Sequence, residues 1–105
     1  MNRLLLSAKL IERGALRYTP AGLPALDLSL LHESQVIQDG QPRRVSLEIK
    51  ARGIGDITQQ LGRLELGCER GYAGFLGSQR NGRGVVFHVV ELELPVTPQT
   101  PLNTD

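Results

Sequence analysis

The sequence holds no tryptophan, two tyrosines and two phenylalanines in 105 residues. Aliphatic side chains must therefore fill whatever core it builds. A single domain of this length has limited stability and often gains more by dimerising. Cys68 is the one cysteine, so no disulfide can form within the chain, which suits a reducing compartment. Gly67 and Glu69 give that thiol no neighbouring cation, so it reads as packed rather than nucleophilic. The two histidines, His32 and His88, lie far apart and lack a cysteine or carboxylate at ligand spacing. A zinc site needs three or four protein ligands, so no metal is expected. No serine sits in a nucleophile elbow. Gly82 and Gly84 open no helix and so form no phosphate loop. Glu91 and Glu93 share one strand face as a solvated edge rather than an acid/base pair. His88, inside an apolar strand, reads as a hydrogen-bonded packing residue. These absences point away from an enzyme and away from any cofactor. The apolar run at Leu4, Leu5 and Leu6 is cut by Ser7 and Lys9, too short for a signal peptide or a membrane span. The expectation is a soluble, cytoplasmic protein.

Neither sign of charge dominates: twelve Lys and Arg stand against eleven Asp and Glu, for a net charge of +1. The total does not announce a polyanion partner, but the distribution says more. All twelve basic residues lie between Arg3 and Arg83, and Arg43 to Arg52 holds four of them against one acidic residue. Charge gathered on one strand can bind a polyanion; the same pattern also suits a solvated strand face.

Strand periodicity is what the sequence does have. A first strand is expected from about Arg3 to Arg13, with both faces partly apolar, so that one meets the core and the other a partner. Arg17-Tyr18-Thr19-Pro20-Ala21-Gly22 forms a basic, aromatic turn into a second strand, about Ala25 to Val36. Asp39-Gly40 signals a hairpin. A third strand, about Arg43 to Arg52, alternates strictly: Val45, Leu47, Ile49 and Ala51 on one face, Arg44, Ser46, Glu48 and Lys50 on the other. Asp56 is placed to cap a short helix, Ile57 to Leu64, with Gln59 at the spacing of a capping box. A glycine-rich fourth strand, about Glu65 to Ser78, and a β-branched fifth, Val85 to Leu94, flank an Asn81-Gly82 turn. Residues 95–105, rich in proline and threonine, are expected to be a disordered tail. The order β-β-β-α-β-β is that of a five-stranded OB-fold, an all-β Greek-key barrel spanning residues 1–94, with the helix between strands three and four. Such barrels bind oligonucleotides on the face of strands two and three and through the loops joining strands one to two and four to five.

Asn2-Arg3-Leu4, then Arg17 to Ala25, then His32-Glu33-Ser34, Gly74-Phe75, Asn81-Gly82 and His88, resemble bacterial single-stranded DNA-binding proteins over about residues 2 to 94. The resemblance is closest to their short paralogues, the primosomal replication proteins N (PriB). Ordinary members carry a long tail ending in an acidic, Phe-tipped peptide, and residues 95–105 have neither feature. The resemblance implies a homodimer that binds single-stranded DNA without sequence preference. It also implies an accessory role in replication restart beside the PriA helicase and DnaT. Carried over residue by residue, the family's basic positions fall on Arg17, Arg43, Arg80 and Arg83. The alternation of strand three adds Arg44 and Lys50 to the groove, and Tyr18 and Phe75 are the candidate stacking rings. Departures from the family pattern are Ser46 and Gln41 in place of aromatics and Glu33 in place of a basic residue. With stacking worth roughly 1–3 kcal/mol per base, these losses imply weaker, more salt-dependent binding. They also keep two alternatives open: an adaptor whose surface chiefly contacts the helicase, and a generic truncated single-stranded DNA-binding protein.

Overall fold

A computed structural model describes residues 1–79 and 82–93. Arg80, Asn81 and the expected disordered tail, 95–105, lie outside the described residues. In chain order the elements are β1 (Leu4–Arg13), β2 (Arg17–Tyr18), β3 (Pro24–Gln38), β4 (Gln41–Ile54), α1 (Ile57–Arg63), β5 (Glu69–Ser78) and β6 (Val85–Glu93).

The sheet runs β1-β5-β6-β4-β3-β2 and closes on itself because β1 also pairs with β3. Closure depends on β1 serving two neighbours. Its first half pairs with β5, from Leu4 opposite Gly74 to Lys9 opposite Glu69. Its second half pairs with β3, with a register shift between Leu10 and Glu12. The bulge there lets one strand bend across the barrel corner. A short parallel contact, Ala51 beside Phe87 and Arg52 beside His88, joins β4 to β6. The barrel has the five strands that the sequence implies, with β2 added as a two-residue rung beside Ala25 and Pro24.

The β3–β4 hairpin is longer than periodicity alone suggests. Its register runs unbroken from Ala25 opposite Ile54 to Gln38 opposite Gln41. The turn is Asp39-Gly40, with φ of 52° and 74°. Positive φ at both central residues is the twist-matched two-residue turn that Asp-Gly favours.

Leu10, Leu26, Leu28, Leu30, Tyr72 and Phe87 form the centre of the barrel, with Ile57 and Leu61 of α1 covering one end. The helix seats closely because β4 offers Gly53 beneath it; a Cβ there would overlap the Leu61 side chain. Arg13 donates to the carbonyls of Leu61 (3.2 Å) and Leu64, satisfying the open end of α1. Tyr72 is fully buried. Burial, followed by the neighbouring Cys68, pushes its hydroxyl up to about 12.

Two local expectations differ from the structure. Asp56 makes no side-chain cap, because its own backbone is already helical at φ −62°, ψ −26°. A capping side chain needs a non-helical backbone to reach the first free amides. The Gly55 carbonyl takes that place, accepting from the Thr58 N–H at 3.1 Å as well as from Thr58 Oγ1 at 2.7 Å. The fourth strand of the barrel, β5, starts at Glu69 rather than Glu65, since Cys68 N–H donates back to the Glu65 carbonyl and closes a turn.

Candidate nucleic-acid interface

Residues opposite one another in a ladder share a face. One side of β3 and β4 is the barrel interior, lined by Leu26, Leu28 and Leu30. The other side presents Asp27 opposite Arg52, Ser29 opposite Lys50, Leu31 opposite Glu48, Glu33 opposite Ser46 and Gln35 opposite Arg44. This outer side is the face on which OB-folds bind oligonucleotides.

Two rows of side chains cross it. In the first, Asp27 lies between two arginines. Arg17 Nη2 donates to both carboxylate oxygens (3.1 and 3.0 Å), and Arg52 Nε donates to Oδ1 at 2.8 Å. Partial burial pulls the Asp27 carboxyl up. The hydrogen bonds and charges of Arg52 and Arg17 outweigh that pull and hold it below its usual value. These pairs are partly exposed, so each adds at most about 1 kcal/mol to stability; their main effect is to fix where the guanidinium groups point.

The row continues through the parallel step from Arg52 to His88, then across the β5–β6 ladder to Phe75. There the two rings stack, with centroids 4.8 Å apart and planes 10° from parallel. Burial first, and then the Arg52 charge, push the His88 imidazole below its ordinary value. The ring is therefore neutral at neutral pH.

The second row is Glu12, Ser29 and Lys50. Lys50 Nζ donates to Ser29 Oγ at 3.0 Å, and Ser29 Oγ donates to Glu12 Oε1 at 3.3 Å. Between the rows and the start of the β5–β6 loop lies a cleft of about 310 Å³, lined by Asp27, Lys50, Arg52, Gln79 and Val86 among others. Gln79 is tied to the start of β6: its N–H donates to the Gly84 carbonyl and its Nε2 to the Val85 carbonyl, each at 3.2 Å.

Of the residues singled out from sequence, Arg17, Lys50 and Phe75 come together on this face. Arg44 shares it but sits farther out, on the projecting part of the hairpin. Tyr18 is 65% exposed at the rim, opposite Pro24. Arg83 is exposed in the β5–β6 loop, and Arg80 lies outside the described residues. Arg43 is not part of the surface. It stands opposite Val36, one residue from Arg44, and alternation turns it to the other side of the sheet. A groove that uses Arg43 and Arg44 together is therefore not what the strand presents.

Four residues of the face escaped the sequence reading: Asp27, Ser29, Arg52 and His88. Arg52 continues the alternation of Arg44 and Lys50, and that spacing is the signal that finds it. His88 is not the hydrogen-bonded packing residue expected from its apolar strand; it lies on the outer face, partly exposed, against Phe75. Among the described residues no group of His, Cys, Asp and Glu could hold a metal. Among them, too, no helix is long and apolar enough to cross a membrane.

Residues 2–91 match a family model described as another single-strand binding protein family. Replication restart protein PriB of Bordetella pertussis is 52% identical over 80 residues, covering 76% of this chain and 75% of the relative. The solved structure of PriB from Ralstonia solanacearum superposes with a TM-score of 0.82 at 37% identity, over 90% of this chain and 97% of that one. The single-stranded DNA-binding protein of Thermus aquaticus gives a TM-score of 0.69 at 26% identity, over 94% of this chain and 52% of that one.

Proposed function

The chain belongs to the single-strand binding protein family, among the replication restart proteins PriB, and from that membership we propose that it holds single-stranded DNA, without sequence preference, across the outer face of β3 and β4. Its role is that of a non-enzymatic, cytoplasmic accessory protein of the replication-restart primosome. It acts as a homodimer and assists the PriA helicase together with DnaT. The observation that carries this reading is the outer face itself. Arg17, Arg52 and Lys50 stand side by side where an OB-fold receives a strand, and the same row ends in a stacked pair of rings. Arg44 and Arg83 extend the basic track, Arg80 is assigned to it through the family resemblance, and Tyr18 stands at its rim. Such a surface tracks phosphates rather than base identity.

The test is a fluorescence-anisotropy titration of labelled oligo-dT at two salt concentrations. The expected result is binding in roughly the micromolar range that weakens steeply with salt. Absence of binding at low salt overturns the reading.

One observation favours a second reading, that of an adaptor for the helicase. Asp27 already engages both Arg17 and Arg52, and the exposed outer position Ser46 offers no ring. A variant that no longer binds DNA and still retains the PriA helicase in a pull-down supports this reading; loss of both together counts against it.

A further inference from the structure

Most of β4 is paired on one side only. β3 accompanies it along its whole length, but on the other side β6 meets it just at Ala51 and Arg52. Among the described residues no strand pairs with that side of residues 41–50. Every second residue there turns its backbone N–H and C=O out of the sheet, and such an edge is a template for another strand. The root of the hairpin is pinned. His32 Nδ1 donates to the Ser7 carbonyl at 2.7 Å, and its Nε2 meets the Ser34 hydroxyl at 2.8 Å. A preorganised edge loses little conformational entropy when a strand is added.

The side chains along this edge select the strand that fits. Arg44, Val45, Ser46, Leu47 and Glu48 run cation, aliphatic, hydroxyl, aliphatic, anion. Read from the other end, the order is the same with the charges exchanged. Arg44, Ser46 and Glu48 are exposed on the outer side, while on the inner side Leu47 is 40% exposed and Val45 is partly buried. The ion pairs among the described residues are those of Asp27, so neither Arg44 nor Glu48 has a counter-charge there.

A two-fold axis through Ser46 sets each Arg44 opposite Glu48 of the second copy, each Val45 opposite Leu47, and Ser46 opposite itself. Residues opposite one another must share a face, so a symmetric pairing has to centre on a residue. The neighbouring centres fit worse. Centring on Arg44 or on Glu48 sets that charge against itself. Centring on Leu47 sets Arg44 against Lys50, and centring on Val45 matches no charges. Like charges directly opposite are destabilising and opposite charges are not, so the register about Ser46 is the one this edge favours.

We propose that the free edge of β4 is a self-association surface, on which two copies of this chain pair antiparallel about Ser46. The contact is isologous, and it joins the two hairpins into one four-stranded ladder. It goes beyond the single-strand reading, needs no DNA, and lies apart from β1, whose two partly apolar faces point to a partner of their own.

The experiment is sedimentation velocity of the full chain over a concentration series, for wild type, Arg44→Glu, Glu48→Arg and an equimolar mixture of the two variants. In either variant alone, like charges oppose one another at both ends of the ladder, and association through this edge should weaken about tenfold or more. In the mixture every Glu faces an Arg again, so association should return. That return also shows that both variants are folded. Ser46→Cys should form a reducible covalent dimer under mild oxidation, above the level that Cys68 gives in wild type. Association steps unchanged in both variants belong to another surface and overturn the proposal. A mixture that behaves as its separate components overturns it too, as does a Ser46→Cys chain that cross-links no more than wild type.

Discussion

From Pro24 to Leu31, β3 buries Ala25, Leu26, Leu28, Ser29 and Leu30; from Glu33 to Gln38 the same strand buries nothing. The partner strand behaves alike. Ala51 and Gly53 are buried, while Val45 and Leu47 alternate in the same way and stay partly or largely exposed. The ladder between the strands is continuous through both halves, so pairing is not the difference. The anchored half has further neighbours: β1 pairs with β3 only as far as Leu31, and β6 reaches β4 only at Ala51 and Arg52. Alternation decides which way a side chain points; a third strand decides whether that side is covered. The candidate site follows the anchored half. There Asp27, Ser29, Lys50 and Arg52 stand on a sheet whose other side is packed, so their positions are fixed by the core.

The largest effect is expected where the anchored half depends on β6. A Cβ at Gly74 would overlap the His88 carbonyl, so Gly74→Ala must part β5 from β6. A loss of about 3 kcal/mol or more is expected in urea unfolding; an unchanged midpoint would show that the barrel yields there. The two halves can then be set against each other directly. Leu30→Ala, at a fully buried position, should cost about 2–5 kcal/mol. Ile37→Ala, 70% exposed on the projecting half, should stay within about 0.5 kcal/mol. Similar losses in both would mean that the projecting half is covered after all.

Smaller effects concern the charges. Asp27→Asn frees Arg17 and Arg52 of their counter-charge. Oligo-dT should bind roughly threefold to tenfold more tightly, with a steeper dependence on salt. Weaker binding would mean that the carboxylate's positioning of the arginines matters more than its charge. The smallest effect is a pH trend at His88. Its folded pKa is lowered by burial and by Arg52, so the unfolded chain takes up a proton first as pH falls through about 6.5. Wild type should lose stability across that window relative to His88→Gln, and the difference should level off below the folded pKa. A gap that is flat with pH would contradict the placement of the ring beside Arg52.

Much of the scaffold was legible because it depends on local pattern: strict alternation from Arg44 to Lys50, the Asp39-Gly40 turn, and the short helix expected from Ile57 to Leu64. The element order β-β-β-α-β-β added barrel closure, which no single local pattern carries. The Phe75–His88 pair was not legible. Its register runs back unbroken from Ser78 opposite Val85, a closing pair that the sequence does not fix, and a slip of one residue would have turned His88 to the other face. Asp27 escaped for a related reason. Its partners come from β2 and β4, ten and 25 residues away, and only the folded ladder brings them together. Arg43 came from the resemblance, which carries over a position without its face, whereas a strand divides neighbours between two faces and sets Arg43 opposite Val36, away from Arg44.

The central claim is that one face of the hairpin, in its anchored half, holds the DNA. Side-by-side oligo-dT titrations of Lys50→Glu and Arg43→Glu at low salt test it most directly. Both reverse one exposed charge on the same strand, from opposite sides of the sheet. Lys50→Glu should weaken binding by about tenfold or more and reduce the salt dependence, while Arg43→Glu should change affinity by about twofold at most. Equal losses, or a greater loss at Arg43, would contradict the account.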